Sequence, residues 1–154
     1  MGELASYEYF MKEALLEAKE AYKKGEIPVG AVLVINRQII SRAHNQKETT
    51  LDPSAHAEIL VIREASQKLG SWRLIDAVLY TTKEPCIMCC GAIVNARIKR
   101  VVYGCDDPKG GGAVSLYNIL NDFRLNHQVE IKSGILEKEC REILQKFFKE
   151  LRQD

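Results

Sequence analysis

The feature that most constrains the fold is a nearly unbroken apolar run from Val29 to Ile35, directly after Pro28. Pro28 blocks a helix at this point, and an apolar run without polar alternation is typical of a strand buried on both faces. Asn36-Arg37 has the length of a two-residue turn into a second strand, Gln38 to Ala43. The sequence therefore predicts a β-hairpin whose first strand lies in the interior.

Helical and strand patterns alternate along the rest of the chain. The predicted helices are Ser6–Lys24, Ser54–Leu69 with Ser54 as its cap, Cys86–Ala96, a short Ser115–Leu120 and Leu136–Leu151. The further predicted strands are Ala77–Thr82, Val101–Tyr103 and one that contains Val129 and Ile131. We expect a polar loop over His44–Pro53 and a flexible loop at Gly110–Gly112. This order predicts an α/β sandwich with a mixed sheet, parallel from Ala77 onward.

Length and charge limit the functions that are open to the chain. Its 154 residues predict a single domain, 1–154. Lys plus Arg number 22 and Asp plus Glu 21, which excludes a strongly basic nucleic-acid binder but leaves binding through a local patch. No apolar run reaches the roughly 18 residues of a membrane helix, and Met1–Phe10 has no apolar signal-peptide core. We therefore expect a cytoplasmic protein without a membrane partner.

The cysteines indicate a metal or redox site. The chain has five, which is an odd number: Cys86, Cys89, Cys90, Cys105 and Cys140. The first three lie within one short segment. Together with the missing secretion signal, this pattern argues against a disulfide framework and for a reduced compartment.

Two clusters at predicted helix starts offer a ligand set for zinc. His56 and Glu58 open the second helix, and Cys86 and Cys89 open the third. One imidazole and two thiols suit Zn²⁺, and three protein ligands leave a position for water, as in catalytic sites. The unpaired N–H groups of a first helical turn favour thiolates. Glu58 is then the candidate general base and acid.

Other interpretations of these residues stay open. Cys86 and Cys90 are an alternative ligand pair, and a C-x-x-C after a strand also occurs as a thioredoxin-like redox pair. His44 is an alternative histidine ligand, although no glutamate follows it at the paired spacing. We interpret Cys90, Cys105 and Cys140 as buried thiols, with a place for Cys105 near the pocket still open, and His127 as a loop or strand-edge residue.

H-x-E followed by P-C-x-x-C resembles the signature of the zinc-dependent nucleobase deaminases. The likeness extends to the bacterial tRNA-specific adenosine deaminases over nearly the whole chain. The segments that carry it are residues 26–32, 52–59, 84–89, 91–93, 96–98, 126–127, 129–131 and 134–136.

The resemblance implies a fold, a reaction and partners. The fold would be the cytidine-deaminase-like α/β/α three-layer sandwich around a five-stranded mixed sheet. The reaction would be hydrolytic deamination of adenosine to inosine at the wobble position of a tRNA anticodon, usually that of an arginine tRNA, with zinc-activated water and Glu58 as proton shuttle. One Zn²⁺ per subunit would be held by His56, Cys86 and Cys89, and the enzyme would be a homodimer.

The resemblance also implies substrate-binding positions. Asn45 would hydrogen-bond the target base, Pro28 and Val29 would help to wall the pocket, and Ala57 would line it. Asp107 would approach the nucleotides beside the target. Two departures concern this surface: residues 105–112 are unusually acidic and glycine-rich at their start, and the position of Lys83 is usually apolar in the family.

The sequence leaves two other functions open and offers three candidate interaction surfaces. The chain could share the zinc chemistry as a free nucleobase or nucleoside deaminase of the guanine or cytosine type, or be a non-enzymatic zinc-stabilised or redox-active binding protein. The candidate RNA-binding patches are Arg97, Lys99 and Arg100, and Lys146, Lys149 and Arg152. Ile87, Ile93 and Val94 make the third predicted helix a candidate dimer surface.

Overall fold

A computed structural model describes residues 2–153. Its helices are α1 (Glu3–Lys23), α2 (Lys47–Thr50), α3 (Ala57–Leu69), α4 (Ile87–Asn95) and α5 (Glu137–Gln153). Its strands are β1 (Gly30–Ile35), β2 (Gln38–His44), β3 (Val78–Lys83), β4 (Arg100–Cys105) and β5 (Glu130–Lys132). A 3₁₀ turn covers Ile119–Asn121. Within residues 2–153, no helix has both the length and the apolar character to cross a bilayer.

The five strands form one mixed sheet in the order β2-β1-β3-β4-β5. β1 is antiparallel to β2 and β3, whereas β3, β4 and β5 are parallel. β1 is buried along almost its whole length, as its apolar run predicts. The predicted mixed sheet, with its parallel part after residue 77, is confirmed.

The hairpin turn has the predicted position and length. Asn36 and Arg37 have φ of 51° and 63°, and Ile35 pairs with Gln38 across them. Positive φ at both central residues is the geometry of a type I′ turn, whose twist matches that of the two strands. The turn therefore directs β2 back along β1.

Helices cover both faces of the sheet. A Cβ at Gly30 would lie well inside 3.0 Å of α1 backbone atoms, and one at Gly104 would meet Cys140 of α5, so α1 and α5 lie against one face. On the other face, the Ser41 hydroxyl donates to the Val61 carbonyl of α3 over 2.7 Å. α4 packs beside α3. The predicted three-layer sandwich is confirmed.

Several predicted boundaries are wrong. The second predicted helix begins at Ala57 with His56 as its N-cap, because the Ser54 hydroxyl bonds to Asp52 rather than capping a helix. The predicted polar loop contains the short helix α2. The predicted helix Ser115–Leu120 is wrong: the Ile119 N–H, which would bond to the Ser115 carbonyl in such a helix, donates to the Gly112 carbonyl instead (3.0 Å), and only the 3₁₀ turn forms.

The glycine-rich segment is not the flexible loop that its composition predicts. Gly111 and Gly112 are buried, and their N–H groups donate to the Asp107 and Pro85 carbonyls, each over 2.9 Å. Gly111 also forms a β-bridge with Cys86. Because the backbone approaches so closely here, the absent side chains permit packing rather than mobility.

Candidate active site

The candidate metal ligands meet where two helices begin. His56 is the N-cap of α3, Cys86 is the N-cap of α4, and Cys89 lies in the first turn of α4. Pro85 keeps the preceding residue extended, so the chain leaves β3 and enters α4 directly. The positive ends of two helices therefore face the same group of side chains.

The distances within this group fit a tetrahedral ion. His56 Nδ1 lies 3.6 Å from Cys86 Sγ and 3.5 Å from Cys89 Sγ. The three ligand atoms all lie within 4.8 Å of one another. Zinc–nitrogen bonds of about 2.0 Å and zinc–sulfur bonds of about 2.3 Å, at tetrahedral angles, give nitrogen–sulfur separations of about 3.5 Å. The three residues therefore fit Zn²⁺.

The pKa values of the two thiols shift in opposite directions. The hydrogen bond that Cys89 donates, together with His56, lowers the pKa of Cys86 to about 4. The same bond and burial raise the pKa of Cys89. The bond with Cys86 also raises the pKa of His56. Cys86 is thus the more acidic of the two thiols, and metal binding would displace the protons that the group holds.

Glu58 lies beside this group in the first turn of α3 and is 4% exposed. Burial raises the pKa of its carboxyl group to about 7. A carboxyl group with a pKa near neutrality can both accept and release a proton at physiological pH, which is what a proton shuttle requires.

A pocket opens over these residues, and most of the predicted substrate positions line it. Its lining consists of Ile27, Val29, Asn45, Lys47, His56, Ala57, Glu58, Lys83, Glu84, Cys86 and Asp107. It thus includes Val29, Asn45, Ala57 and Asp107. Pro28 is not part of this lining and is buried, while its neighbours face the pocket.

The buried side chain of Asn45 is oriented from both ends. Its Nδ2 donates to the Ile27 carbonyl (3.2 Å), and its Oδ1 accepts the Lys47 N–H (3.1 Å). An asparagine amide has two N–H donors and two oxygen lone pairs. One N–H donor and one oxygen lone pair therefore remain, and Asn45 can offer both to a ligand.

The remaining cysteines lie outside the metal-binding group. The Cys90 thiol donates to the Pro85 carbonyl and the Cys105 thiol to the Thr82 carbonyl, each over 3.6 Å. Both are buried, as is Cys140, and none of the three lines the pocket.

The other histidines also have different partners. His44 Nδ1 lies 3.2 Å from Glu17, and its Nε2 lies 3.1 Å from Lys24. His127 Nε2 lies 2.8 Å from the Ile98 carbonyl. Neither histidine belongs to the His–Cys–Cys group.

Glu84 shapes the pocket, although the sequence analysis assigns it no role of its own. It is 2% exposed and accepts N–H bonds from Asp107 (3.0 Å), Val114 (2.8 Å) and Ser115 (2.9 Å). Burial would raise its pKa, but these hydrogen bonds outweigh burial and hold the pKa below its usual value. A Cβ at Gly111 would collide with the carboxylate, so the glycine run is the one sequence signal of this packing.

Glu26 has a similar role on the opposite wall. Its carboxylate accepts the N–H groups of Glu48 (3.1 Å) and Thr49 (2.6 Å) in α2. Burial would raise its pKa, but the bonds from Thr49 and Glu48 lower it. α2 begins at Lys47, two residues after Asn45, so Glu26 supports that side of the pocket. A lone acid before an apolar run was its only sequence signal.

Comparisons with known proteins agree with this geometry. A family model of MafB19-like deaminases matches residues 5–152. The tRNA-specific adenosine deaminase of Bacillus subtilis is 57% identical over 145 residues, which are 94% of this chain and 90% of that protein. A structure from studies of A-to-I editing by tRNA:A34 deaminases at the wobble position of transfer RNA is 46% identical, with a TM-score of 0.86 over 88% of this chain and 99% of that one. A guanine deaminase structure from Bacillus subtilis is 44% identical, with a TM-score of 0.62 over 69% and 66%. The chain belongs to the deaminase family that includes the tRNA-specific adenosine deaminases.

Proposed function

We propose that this chain is a tRNA-specific adenosine deaminase that hydrolyses the wobble adenosine of a tRNA anticodon, that of arginine tRNA, to inosine. One observation carries the proposal: a His–Cys–Cys group and a buried glutamate share a pocket, in a chain 57% identical to such an enzyme. A tRNA substrate assigns the reaction to the bacterial cytoplasm.

The residues that would hold Zn²⁺ are His56, Cys86 and Cys89, with one ion per subunit. When bound, the ion would supply Lewis-acid chemistry that lowers the pKa of a water molecule enough for attack on the base at neutral pH. Three protein ligands are the number typical of catalytic zinc sites, whereas structural sites use four.

Glu58 would move the proton. Its carboxylate takes a proton from the attacking water and delivers it to N1 of adenine, which makes C6 more electrophilic. It then assists the departure of the C6 amino group as ammonia, so adenosine and water become inosine and ammonia. A pKa of about 7 suits both directions of transfer.

Asn45 and the apolar wall would hold the base. The free donor and acceptor of Asn45 match the mixed edge of a purine, and Val29 and Ala57 provide apolar contact. The base must leave its stack to enter the pocket, at a cost of a few kcal/mol. An anticodon loop lowers this cost because its bases are largely unpaired.

The second candidate function is deamination of a free base, which the similarity to guanine deaminase favours. To separate the two, the zinc-loaded protein is incubated with tRNA that carries a wobble adenosine and, separately, with guanine, cytosine and adenosine. We expect inosine in the digested tRNA and no ammonia from the free compounds. Ammonia from guanine without inosine in tRNA would overturn the proposal.

The role of Glu58 is tested by Glu58→Gln. The amide keeps the shape of the side chain but cannot accept the proton, so deamination of tRNA should fall by at least roughly 10²–10⁴-fold while zinc content and fold persist. Glu64→Gln, at a half-buried position of the same helix, is the matched control and should keep full activity. Full activity in Glu58→Gln would refute the proton-shuttle role.

The homodimer is part of this proposal, and the structure changes the surface assigned to it. Ile93 and Val94 lie in the chain's own core, so they are not available to a partner. Ile87 is 54% exposed, and Met88 and Leu116 beside it are also exposed. We propose that a second copy covers this apolar patch, because it adjoins Cys86 and would bring both subunits to the pocket.

Sedimentation of the wild type and two variants tests the patch. Ile87→Glu introduces a carboxylate that a helix N-terminus tolerates, so the helix persists while the interface is repelled. Leu4→Glu makes the same kind of change in the first turn of α1. We expect dimers of the wild type and Leu4→Glu, and monomers of Ile87→Glu. A monomeric wild type, or a dimeric Ile87→Glu, would contradict this assignment.

A further inference from the structure

A second groove lies at the end of the sheet opposite the candidate active site. Val78 and Arg100, the first residues of β3 and β4, line it together with Val34 near the end of β1. Cys86, by contrast, follows the carboxyl end of β3. The groove has a volume of about 380 Å³, which is within the range of about 300–1,000 Å³ typical of small-molecule sites. The proposed reaction uses none of the residues that line this groove.

Aromatic rings form part of the wall of this groove. Tyr80 of β3 is 4% exposed, and its ring centre lies 5.3 Å from that of Phe10 and 6.4 Å from that of Tyr7, both on α1. The ring planes are inclined by 44° and 56°, so neither pair is stacked face to face. Val34 and Val78 add aliphatic surface. Walls of this kind favour a flat apolar ring as ligand.

The Tyr80 hydroxyl is a polar group of this wall that the protein leaves without a partner. Among residues 2–153, no group forms a hydrogen bond with it, whereas the Tyr7 hydroxyl donates to Glu3 (2.7 Å) and accepts from Arg100 (3.0 Å). In the same part of the chain, no sealed side-chain nitrogen or oxygen lacks a partner, so the Tyr80 hydroxyl opens into the groove. Burial raises its pKa to about 12. The hydroxyl therefore stays protonated at neutral pH and can donate to a ligand.

The formal charges of the lining cancel. Arg37 and Arg100 stand against Glu3 and Asp76, and Arg100 also lies 2.7 Å from Glu130. A charged ligand would leave water without a net opposite charge to receive it, which is costly. The groove therefore fits an uncharged ligand better than an anion or a cation.

We propose that this groove is a binding site for an uncharged aromatic ring that carries one hydrogen-bonding oxygen, which the Tyr80 hydroxyl holds. The ring packs against Tyr7 and Phe10 and displaces water, and its oxygen accepts the hydrogen bond that Tyr80 donates. A phenol is the simplest compound of this class. The site does not depend on the proposed deamination, because it shares no lining residue with the pocket over the metal-binding group.

Fluorine NMR titrations with para-fluorophenol and para-fluorotoluene test the hydrogen bond, because the two compounds differ in one polar group. Tyr80→Phe removes the hydroxyl and keeps the ring. It should weaken the binding of para-fluorophenol by about three- to tenfold, the value of one hydrogen bond, and leave that of para-fluorotoluene within about twofold. The melting temperature should not fall, since the hydroxyl has no partner within residues 2–153.

Tyr103→Phe is the matched control. Tyr103 is a buried tyrosine of the neighbouring strand β4 that does not line the groove, and its hydroxyl donates to Asp106 over 2.8 Å. This variant should keep both affinities within about twofold of the wild type. Ser6→Phe adds a ring to the wall of the groove and should abolish saturable binding of both compounds, which locates the site. Inosine formation on tRNA should persist in Tyr80→Phe.

Selective loss of para-fluorophenol binding in Tyr80→Phe alone supports the proposal. If neither compound binds the wild type, or if Ser6→Phe leaves binding unchanged, the groove is not the site. An equal loss of both compounds in Tyr80→Phe, or a lower melting temperature, would assign the hydroxyl a structural role and refute the hydrogen bond to a ligand. None of these failures touches the proposed function, which the assay on tRNA decides separately.

Discussion

Single buried carboxylates organise the surroundings of the candidate active site. A carboxylate loses several kcal/mol on leaving water unless its oxygens find donors. Glu84 finds donors in Asp107, Val114 and Ser115, and Glu26 finds them in α2. Glu84 therefore fixes the loop after β4, and Glu26 fixes the short helix α2. Two sides of the pocket are thus held in place by residues that take no part in the proposed chemistry.

Acid titration of stability tests this role of Glu84. Its pKa in the folded state lies below the unfolded value of 4.5, so the folded state binds fewer protons. Its contribution is complete above pH 4.5 and is lost as the pH falls through the folded-state pKa. Glu84→Gln should therefore lower the free energy of unfolding by about 1–3 kcal/mol at pH 7, by leaving donors unpaired, and by less in acid.

Urea denaturation at neutral pH and at about pH 4 measures both quantities. Glu64→Gln, at a half-buried position of α3 whose side chain is 42% exposed, serves as the control and should change stability by less than about 0.5 kcal/mol. If Glu84→Gln is as stable as the wild type at neutral pH, the carboxylate does not hold the loop.

Local sequence signals predicted those elements that local physics determines. The β1–β2 hairpin and the two helices that begin at the ligand clusters follow from apolar runs, a turn and helix starts. α2 and the loop after β4 were missed because their donors bond to acids far away in sequence. Glu26 lies 23 residues before Thr49, and Glu84 lies 31 residues before Ser115. The candidate ligands His56, Cys86 and Cys89 could be named from residue type and spacing, whereas the buried position of Glu84 against Val114 and Ser115 could not be predicted.

The packing of α1 on β1 depends on Gly30. A Cβ there would overlap backbone atoms of α1, and these cannot move aside as a flexible side chain can. We therefore expect Gly30→Ala to displace α1 and to lower the free energy of unfolding by about 1–3 kcal/mol, the range typical of overpacked cores. Gly91→Ala, inside α4, where no atom lies within 4 Å of the added Cβ, should not lower it, because alanine favours a helix more than glycine does. Equal stabilities in urea denaturation would show that the interface adapts.

The metal group connects segments that are 30 residues apart along the chain, His56 and Cys86. Because a bound metal stabilises only the folded state, chelation should lower the melting temperature of the whole molecule. Cys89→Ala should lose zinc, whereas Cys90→Ala, a neighbouring buried thiol outside the group, should keep one equivalent. Metal analysis of the purified variants measures this, and zinc retained by Cys89→Ala would contradict the ligand set.

The charge balance of the whole molecule limits how strongly it can attract RNA. The formal net charge is only +1, and some of the basic side chains already interact with other groups of the protein. Arg100, from one of the predicted patches, lies 2.7 Å from Glu130, and Lys146 of the other lies over the Tyr22 ring. Of the six cations in the two predicted patches, four are then left to release counterions from a phosphate backbone. We expect the logarithm of the RNA association constant to fall with the logarithm of salt concentration with a slope of about −2 to −4, which corresponds to about three to five phosphate contacts.

Fluorescence-anisotropy titrations of an RNA hairpin that carries adenosine at the first anticodon position, over a series of salt concentrations, measure this slope. Arg100→Gln should leave it unchanged, because the guanidinium is already neutralised by Glu130. Lys149→Gln removes an exposed cation without a carboxylate within ion-pair distance in residues 2–153, and should make the slope shallower by about 0.7 if that face touches a phosphate. A slope steeper than about −6 would require more phosphate contacts than the four remaining cations of the two patches provide, and a change with Arg100→Gln would mean that RNA breaks its pair with Glu130.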